Sequence, residues 1–287
     1  KQEFNYPLDA KYQIDSAIEF YKQRFDHAPL GMWPSEEGVS EHILPYIIES
    51  GIKWIVTDEA ILFKSLKVKK RDTKLLYQPH LLERKAGQLN IVFRDRNLSD
   101  LIGFVYHKMN ELDAVNNFMM HLENINKAFK GKDILVTIAL DGENAWEFYR
   151  NDGHDFLELF YQRLSQADFV KMTTVSDYLK TNPAKKEIER LSAGSWIYGE
   201  FGKWIGNPHK TKAWEWLAQA RKAIQETNNP SDLAWKQMYI LEGSDWFWWA
   251  GEDPDGSFDR LFRLHLANLY ALINKKPPAY LAGPLTP

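Results

Sequence analysis

The alternation of strand-like and helix-like segments in the first two-thirds of the chain constrains its fold more than any other feature. Short apolar runs at 31–33, 54–57, 90–94, 134–140 and 170–174 are separated by stretches with helical periodicity. The predicted helices cover 9–24, 39–49, 111–129 and 175–180, and two more begin near 99 and 152. Strands that alternate with helices form a parallel sheet covered on both faces. The sequence therefore predicts an α/β fold.

The predicted strands are fewer than the seven or eight that a closed barrel needs. Five strand candidates can be counted in the sequence. An open sheet is one explanation, and a barrel whose opening strands lie outside this sequence is the other.

The character of the chain changes after the segment 181–183 (TNP). Residues 184–287 contain helical patterns at 186–192, 211–227, 231–241 and 257–274, and they contain no strand candidate. We therefore predict two domains, an α/β domain at 1–181 and a helical domain at 182–287.

The composition excludes several classes of partner. The 287 residues carry a formal net charge of −3, whereas nucleic acids and anionic membranes select basic surfaces. No apolar run of 18 residues is present, so we expect no membrane span. The absence of cysteine excludes disulfides and thiolate metal sites, and it leaves the cellular compartment open.

Acidic residues follow the strand candidates. Glu36, Asp58, Asp95 and Asp141 each come just after a predicted strand. Because the carboxyl ends of parallel strands meet at one edge, these side chains are expected on the same rim. Taken singly, such an acid is typical of a helix cap or a turn, and Glu37 is a further candidate for capping.

The aromatic neighbours of two of these acids indicate a more specific chemistry. Trp33 lies close to Glu36 in the sequence, and Trp146 lies close to Asp141, in a chain with 11 tryptophans. An acid beside an apolar ring is poorly solvated, which raises its pKa and suits it to proton donation. Two carboxyl groups flanked by aromatic rings are typical of a glycoside-cleaving site.

Other catalytic chemistries lack their motifs. A serine nucleophile needs a strained strand-to-helix turn such as GxSxG, and Ser195 does not lie in that context. The eight histidines are scattered without ligand spacing, so no catalytic metal and no cofactor are predicted. Trp146 and Phe148 interrupt the regular oxygen spacing that a calcium loop after Asp141 would need.

Several segments resemble glycoside hydrolase family 57, particularly its α-amylase and amylopullulanase branch. The segment 31–40 (GMWPSEEGVS) resembles the nucleophile motif of that branch, and 140–147 (LDGENAWE) resembles its acid/base motif. The remaining similar segments are 54–59 (WIVTDE), 93–103 (FRDRNLSDLIG), 194–206 (GSWIYGEFGKWIG) and 242–249 (EGSDWFWW).

The resemblance implies a fold and a mechanism. It implies a (β/α)7-type barrel followed by a helical bundle, and a retaining reaction on α-glucans with Glu36 as nucleophile and Asp141 as general acid/base. The opening strand motif of the family has no counterpart in this sequence. We therefore expect an N-terminal segment of the same protein to complete the barrel.

Supporting roles follow from the same segments. Arg94 and Asp95 are predicted to bind sugar hydroxyls or to orient Asp141, with an internal ion pair as the alternative. Aromatic rings stack on sugars, so tryptophans near the acids are predicted to contact substrate. The predicted substrate-binding residues are Trp33, Arg94, Asp95, Trp146, Trp196, Trp204, Asp245 and Trp246. For Trp196, Trp204, Asp245 and Trp246, the alternative is an aromatic contact that joins the helical part to the α/β part.

The predicted function is therefore an α-glucan-acting retaining glycosidase whose partner is an α-glucan oligosaccharide or polysaccharide. A 4-α-glucanotransferase or a branching enzyme is the first alternative, because such enzymes share the covalent intermediate and differ in what attacks it. A carbohydrate-binding remnant without activity is the second alternative.

Overall fold

The computed structural model describes residues 4–142 and 145–285. Within them a single sheet contains the strands β1 (Gly31–Met32), β2 (Trp54–Asp58), β3 (His80–Arg84), β4 (Gly87–Arg94) and β5 (Lys186–Glu187). The α-helices of the described residues are α1 (Pro7–Phe25), α2 (Leu44–Glu49), α3 (Glu59–Ser65), α4 (Thr73–Leu76), α5 (Arg96–Asp100), α6 (Glu111–Phe129), α7 (His154–Gln166), α8 (Val175–Thr181), α9 (Pro208–Gln225), α10 (Asp232–Leu241), α11 (Ser244–Trp249) and α12 (Ser257–Leu272). None of these helices is long and apolar enough to cross a membrane.

The described chain divides into two compact units. One unit is the continuous segment 25–199, which contains the sheet and α2 to α8. The other combines residues 1–24 with 200–287 and contains α9 to α12 together with nearly all of α1. This division differs from the boundary at 181/182 that the change in composition predicts. The two-domain organisation stays a prediction.

The sheet is mostly parallel, in the order β1-β2-β4-β3-β5. β1 and β4 both pair in parallel with β2, whereas β3 pairs antiparallel with β4 through a tight hairpin. The parallel register sets Asp58 opposite Arg94, so the last residues of β2 and β4 lie side by side. This register brings the polar residues that follow the apolar strand interiors to one edge of the sheet.

The acidic residues that end β2 and follow β4 also begin the next helices. The Asp58 carboxylate accepts a hydrogen bond of 2.8 Å from the backbone N–H of Ala60 and caps α3. The Asp95 carboxylate accepts one of 3.0 Å from the backbone N–H of Leu98 and caps α5. An acidic side chain at this position satisfies a donor that the helix leaves unpaired. The same residues therefore stop the strands and start the helices.

The prediction of a regular strand at 134–140 is wrong. Only Thr137 forms an isolated parallel bridge, with Arg94. The hairpin strand β3 occupies the same side of β4 further back, with His80 opposite Ile91, so the segment can reach β4 only beyond the end of β3. Its contacts there are a hydrogen bond of 2.8 Å from the Asp95 N–H to the Thr137 carbonyl and one of 3.0 Å from the Leu135 N–H to the Tyr77 carbonyl.

Two other predictions about secondary structure are also wrong. Residues 170–174 form no strand, because 171–174 are solvent-exposed and no described strand lies beside them. The predicted helix at 186–192 is replaced by β5, which pairs with β3. The prediction that no strand follows residue 184 therefore fails as well. The first segment lacks a described strand to pair with, and the second gains one in β3. Tertiary pairing therefore decides the structure of both segments against their local pattern.

Helices α6 and α7 pack on each other through an aromatic core within the unit 25–199. The ring centroids of Phe118 and Phe160 are 4.9 Å apart in an edge-to-face arrangement, and those of Phe156 and Phe160 are 5.4 Å apart and stacked. All three side chains are buried. Edge-to-face and offset stacking are the favoured geometries of aromatic pairs.

A buried ion pair joins α1 to α9 within the other unit. The Arg221 guanidinium donates two hydrogen bonds to the Asp9 carboxylate, of 2.6 and 3.0 Å, and both residues are buried. The interior face of α9 carries small and branched apolar residues that pack beside α10 and α12: Ala213, Leu217, Ala218, Ala220 and Ile224.

We expect the substitution Gly31→Ala to destabilise the unit 25–199 by about 1–3 kcal/mol, because overpacking costs about this much in a filled site. A Cβ on Gly31 would lie 2.0 Å from the Trp54 ring, so that the ring or strand β1 would have to move. Urea unfolding followed by circular dichroism measures the change.

The matched control is Gly103→Ala in the same unit. Apart from the adjacent residues and the local helical backbone, no described atom lies within 4 Å of a Cβ built there, and the residue does not need a positive φ. Equal stability loss in both variants would contradict the close approach of Trp54 to Gly31.

Candidate active site

A strained turn carries two consecutive glutamates just after β1. Glu36 and Glu37 have φ values of 55° and 51°, in the left-handed region. This conformation costs an L-residue other than glycine about 1 kcal/mol or more. Non-glycine residues in this conformation cluster at functional sites, where the surrounding structure holds them in place.

Contacts from distant segments hold this turn. The Trp196 backbone N–H donates a hydrogen bond of 3.2 Å to the Glu36 carbonyl, and the Thr57 hydroxyl donates one of 2.7 Å to the Glu37 carbonyl. Val39 and Gly194 form a two-way antiparallel bridge, with hydrogen bonds of 2.9 and 3.1 Å. A Cβ on Gly194 would lie 2.4 Å from the Gly199 carbonyl oxygen, so this close approach requires glycine. The segment around Trp196 is therefore fixed against the turn.

The Glu36 carboxylate is oriented by an indole. The Trp196 Nε1–H donates a hydrogen bond of 2.8 Å to Glu36 Oε2. The ring of Trp33 meets that of Trp196 edge to face, with 5.4 Å between centroids and an interplanar angle of 86°. Two aromatic rings thus form a corner beside the carboxylate.

Arg94 links this corner to the ends of β2 and β4. Its guanidinium carbon lies 5.0 Å from the centre of the Trp196 ring, within the range of a cation–π contact. Its Nε donates to Asp58 Oδ2 at 3.1 Å and its Nη2 to Asp100 Oδ1 at 2.5 Å. The third nitrogen, Nη1, donates to the Ala139 carbonyl at 3.2 Å. Each guanidinium nitrogen therefore has an acceptor.

Asp58 is the buried counterion of two arginines. Its side chain is 0% exposed, and it accepts hydrogen bonds from both Arg94 and Arg96. A buried carboxylate needs such partners because its desolvation otherwise costs several kcal/mol. Asp58 therefore belongs to the internal support of the rim.

Asp141 lies at the end of a segment tied to the same rim. Two residues before it, the Ala139 carbonyl accepts from Arg94, and the Ala139 N–H donates to the Ser99 hydroxyl at 3.2 Å. Asp141 is half-buried, and its charge acts on the Glu37 carboxyl. Glu143 and Asn144 of the same motif lie outside the described residues.

Glu37 is the residue whose role the sequence did not indicate. Its side chain is 0% exposed, and neither carboxyl oxygen has a hydrogen-bond partner among the described residues. Burial raises the pKa of this carboxyl from its ordinary 4.5 to about 8; Arg94 and Arg96 oppose the increase, and Asp58 and Asp141 add to it. The capping role considered for Glu37 is therefore wrong, since it caps no helix in the described structure.

Asp95 is buried beneath the rim. Besides the α5 cap, its carboxylate accepts a hydrogen bond of 2.6 Å from the Tyr77 hydroxyl and forms an ion pair of 2.9 Å with Arg71. Its side chain is 2% exposed. Asp95 pairs with Arg71, and Arg94 pairs with Asp58. Both residues therefore form internal ion pairs, which was the alternative to binding sugar hydroxyls.

Trp146 is half-buried and packs beside α7. Its ring centroid lies 5.4 Å from that of Tyr149 and 6.4 Å from that of Phe156. A Cβ on Gly153 would lie 2.9 Å from the Trp146 ring. Through these contacts the half-buried Trp146 ring packs against the aromatic core between α6 and α7.

Three predicted site residues belong to the unit formed by residues 1–24 and 200–287. Trp204 is buried against Trp248, with 5.7 Å between ring centroids, whereas Asp245 is exposed at the start of α11. Trp246 donates a hydrogen bond of 2.8 Å to the Ile240 carbonyl and lines a cavity of about 370 Å³. The cavity walls also include Trp249, Phe258, Phe262, His209, Asp253 and Asp259.

The structure thus groups some of the predicted residues and separates others. It brings Trp33, Glu36, Arg94 and Trp196 into contact, with Asp141 close to this group. Arg96 and Asp100 complete the group, and the alternation of opposite charges in 94–96 (RDR) was the sequence signal that could have indicated Arg96. Within the described ranges, no three His, Asp or Glu side chains are arranged to hold a metal ion.

The chain is similar in sequence to a curated protein named as an alpha-amylase. It is 26% identical over 218 residues to Alpha-amylase 1 of Dictyoglomus thermophilum, an alignment that covers 75% of this chain and 29% of the relative. The chain therefore spans less than a third of the length of that curated relative.

Solved structures show the same fold class. A family 57 branching enzyme from Thermococcus kodakaraensis superposes with a TM-score of 0.74 at 16% identity, covering 93% of this chain and 62% of the enzyme. The 4-alpha-glucanotransferase of Thermococcus litoralis superposes with a TM-score of 0.72 at 15% identity, covering 92% of this chain and 45% of the enzyme. At such identities the likeness is evidence for an α/β fold with a largely parallel sheet.

The family assignment rests on a family model that matches more than half of the chain. Residues 4–190 match the family described as Glycosyl hydrolase family 57, and this range contains every member of the group around Glu36 except Trp196. The resemblance of the segments 31–40 and 140–147 is thereby confirmed at the level of the family. The chain belongs to glycosyl hydrolase family 57.

Proposed function

We propose that this chain contributes the catalytic carboxyl groups of a retaining glycoside hydrolase that acts on α-glucans, of α-amylase or amylopullulanase type. The single observation that carries the proposal is the Glu36 carboxylate on its strained turn, bound by the Trp196 indole. Membership of family 57 and the similarity to an alpha-amylase support the substrate class. The glycosidic linkage that we propose is cleaved is α-1,4, and α-1,6 is the second linkage to assay.

In the first step, Asp141 donates its proton to the glycosidic oxygen while a Glu36 carboxylate oxygen attacks the anomeric carbon. The bond to the leaving oxygen breaks, and a glycosyl ester forms on Glu36. In the second step, Asp141 takes a proton from water, whose oxygen attacks the anomeric carbon and releases Glu36. The hydrogen bond from Trp196 supports this role because it holds the attacking group in one orientation.

The aromatic corner supports a sugar subsite beside Glu36. Trp33 and Trp196 meet edge to face, and both are half-buried, so each has ring surface within reach of a ligand. Arg94 acts in this proposal by holding Asp58 and the segment before Asp141, since its guanidinium nitrogens are already engaged. A substrate contact by Asp95 lacks support from its buried position. The contacts of the half-buried Trp146, and of Trp204, Asp245 and Trp246 in the other unit, stay predictions.

The architecture that we propose follows the family. Residues 1–181 would belong to a (β/α)7-type barrel and residues 182–287 to a helical domain. The parallel pairing of β1, β2 and β4 and the fold-level likeness to family 57 structures support this proposal.

We expect Glu36→Gln to reduce turnover of a maltooligosaccharide by at least about a thousandfold, because an amide cannot form the glycosyl ester. Released product measured by chromatography gives the rate. In the unaltered protein, rapid acid quenching followed by mass spectrometry should find a glycosyl group on the peptide that contains Glu36.

Glu83→Gln is the matched control, since it makes the same chemical change at an exposed position of β3. Turnover of the Glu36→Gln variant at the rate of this control would reject Glu36 as the nucleophile.

Glycosyl transfer is the second candidate, and the fold-level likeness to a branching enzyme and a 4-alpha-glucanotransferase favours it. Both reactions pass through the same ester, which water or a sugar hydroxyl then attacks. For the proposed hydrolase, we expect one new reducing end for each bond cleaved. A reducing-sugar assay run beside chain-length analysis of the products measures this ratio. Redistributed chain lengths at a constant number of reducing ends would instead establish transfer.

A further inference from the structure

Glu37 is a buried acid that the proposed reaction does not use. It adjoins Glu36 in the sequence, and its backbone is fixed at both polar groups, by Thr57 at the carbonyl and by the Pro34 carbonyl at the N–H, at 2.8 Å. The carboxyl group is the part without a hydrogen-bond partner in the described structure. A buried polar group left in this state needs an explanation, because it costs about 1–3 kcal/mol even when neutral.

The charged groups that face Glu37 come from each neighbouring element. They are Asp58 at the end of β2, Arg94 and Arg96 at and after the end of β4, and Asp141 on the segment after Ala139; Glu36 precedes it on its own turn. The two arginines are the possible counterions, and both already bond to Asp58. Arg94 is further committed to Asp100 and to the Ala139 carbonyl. A charged Glu37 would compete with these acceptors for the two arginines.

We propose that Glu37 is a positioning residue of the Glu36–Asp141 site, which supports catalysis while its carboxyl is protonated and disrupts it when ionised. The neutral group leaves Arg94 on Asp58, Asp100 and Ala139. Loss of the proton to a base in solution creates a buried carboxylate that draws Arg94 away. This weakens the hydrogen bond from Arg94 to the Ala139 carbonyl, two residues before Asp141. It also weakens the cation–π contact between Arg94 and the Trp196 ring.

The inference rests on the proposed function, and burial gives the pH range in which to test it. The Glu37 carboxyl has a pKa of about 8 in the folded protein against an ordinary 4.5. About nine-tenths of the groups are then protonated at pH 7 and about one-tenth at pH 9. The kcat of the unaltered protein should therefore fall about tenfold over this interval from this ionisation alone.

The test compares Glu37→Gln and Glu37→Met with the unaltered protein, because both variants stay neutral at every pH. We expect the ratio of variant to unaltered kcat on a maltooligosaccharide to rise about tenfold from pH 7 to pH 9. The exposed control Glu83→Gln should keep a constant ratio. A constant ratio for both Glu37 variants would overturn the proposal, as would failure of both to fold at pH 5, where the native group is itself neutral.

Stability provides a readout that does not need activity. A carboxyl with a folded pKa above its unfolded value binds more protons in the folded state between pH 4.5 and 8. The stability that it contributes is present at pH 4.5 and falls as the pH rises through 8. The melting temperature of each variant minus that of the unaltered protein should therefore increase across this window. No increase would contradict a buried, protonated Glu37.

The two levels of the proposal fail separately. Turnover that persists in Glu36→Gln rejects the proposed function, whatever the pH profile of the Glu37 variants. A constant kcat ratio with an inactive Glu36→Gln rejects only the role of Glu37.

Discussion

The Arg94 guanidinium is the contact on which the candidate site depends. It bonds to Asp58 at the end of β2, to Asp100 in α5 and to the carbonyl of Ala139, and it makes a cation–π contact with the Trp196 ring. These four groups come from segments far apart in the sequence. Arginine suits the position because its planar fork carries fixed donors and stacks on aromatic rings, which a lysine cannot reproduce. Arg94 thereby connects the ends of strands β2 and β4, helix α5, the segment before Asp141 and the indole that binds Glu36.

Two adjacent glutamates have opposite environments because of this arrangement. Glu36 is half-buried and bound by the indole, whereas Glu37 is buried among charges that are already paired. Both residues lie on one left-handed turn, whose carbonyls accept hydrogen bonds from Trp196 and Thr57. Environment, and not residue type, separates the carboxyl proposed for attack from the one held neutral.

The sequence predicted the parts of the fold that local periodicity controls. The long helix α6 has the predicted bounds, and the strands β2 and β4 lie where short apolar runs end in acids. Residues 134–140 look like a strand in isolation, yet the hairpin strand β3 takes the place beside β4 that they would need. Such competition between distant segments leaves no trace in a local pattern.

The sequence by itself determined the family, through the motifs around Glu36 and Asp141, and the α/β class, through the alternation of apolar runs and helices. Tertiary structure alone decided which polar residues meet. It bound Asp95 and Arg94 into internal ion pairs, packed Trp146 against a core and brought Trp196 to Glu36. The physical reason is that periodicity is a property of neighbouring residues, whereas burial and ion pairing depend on segments that only folding brings together.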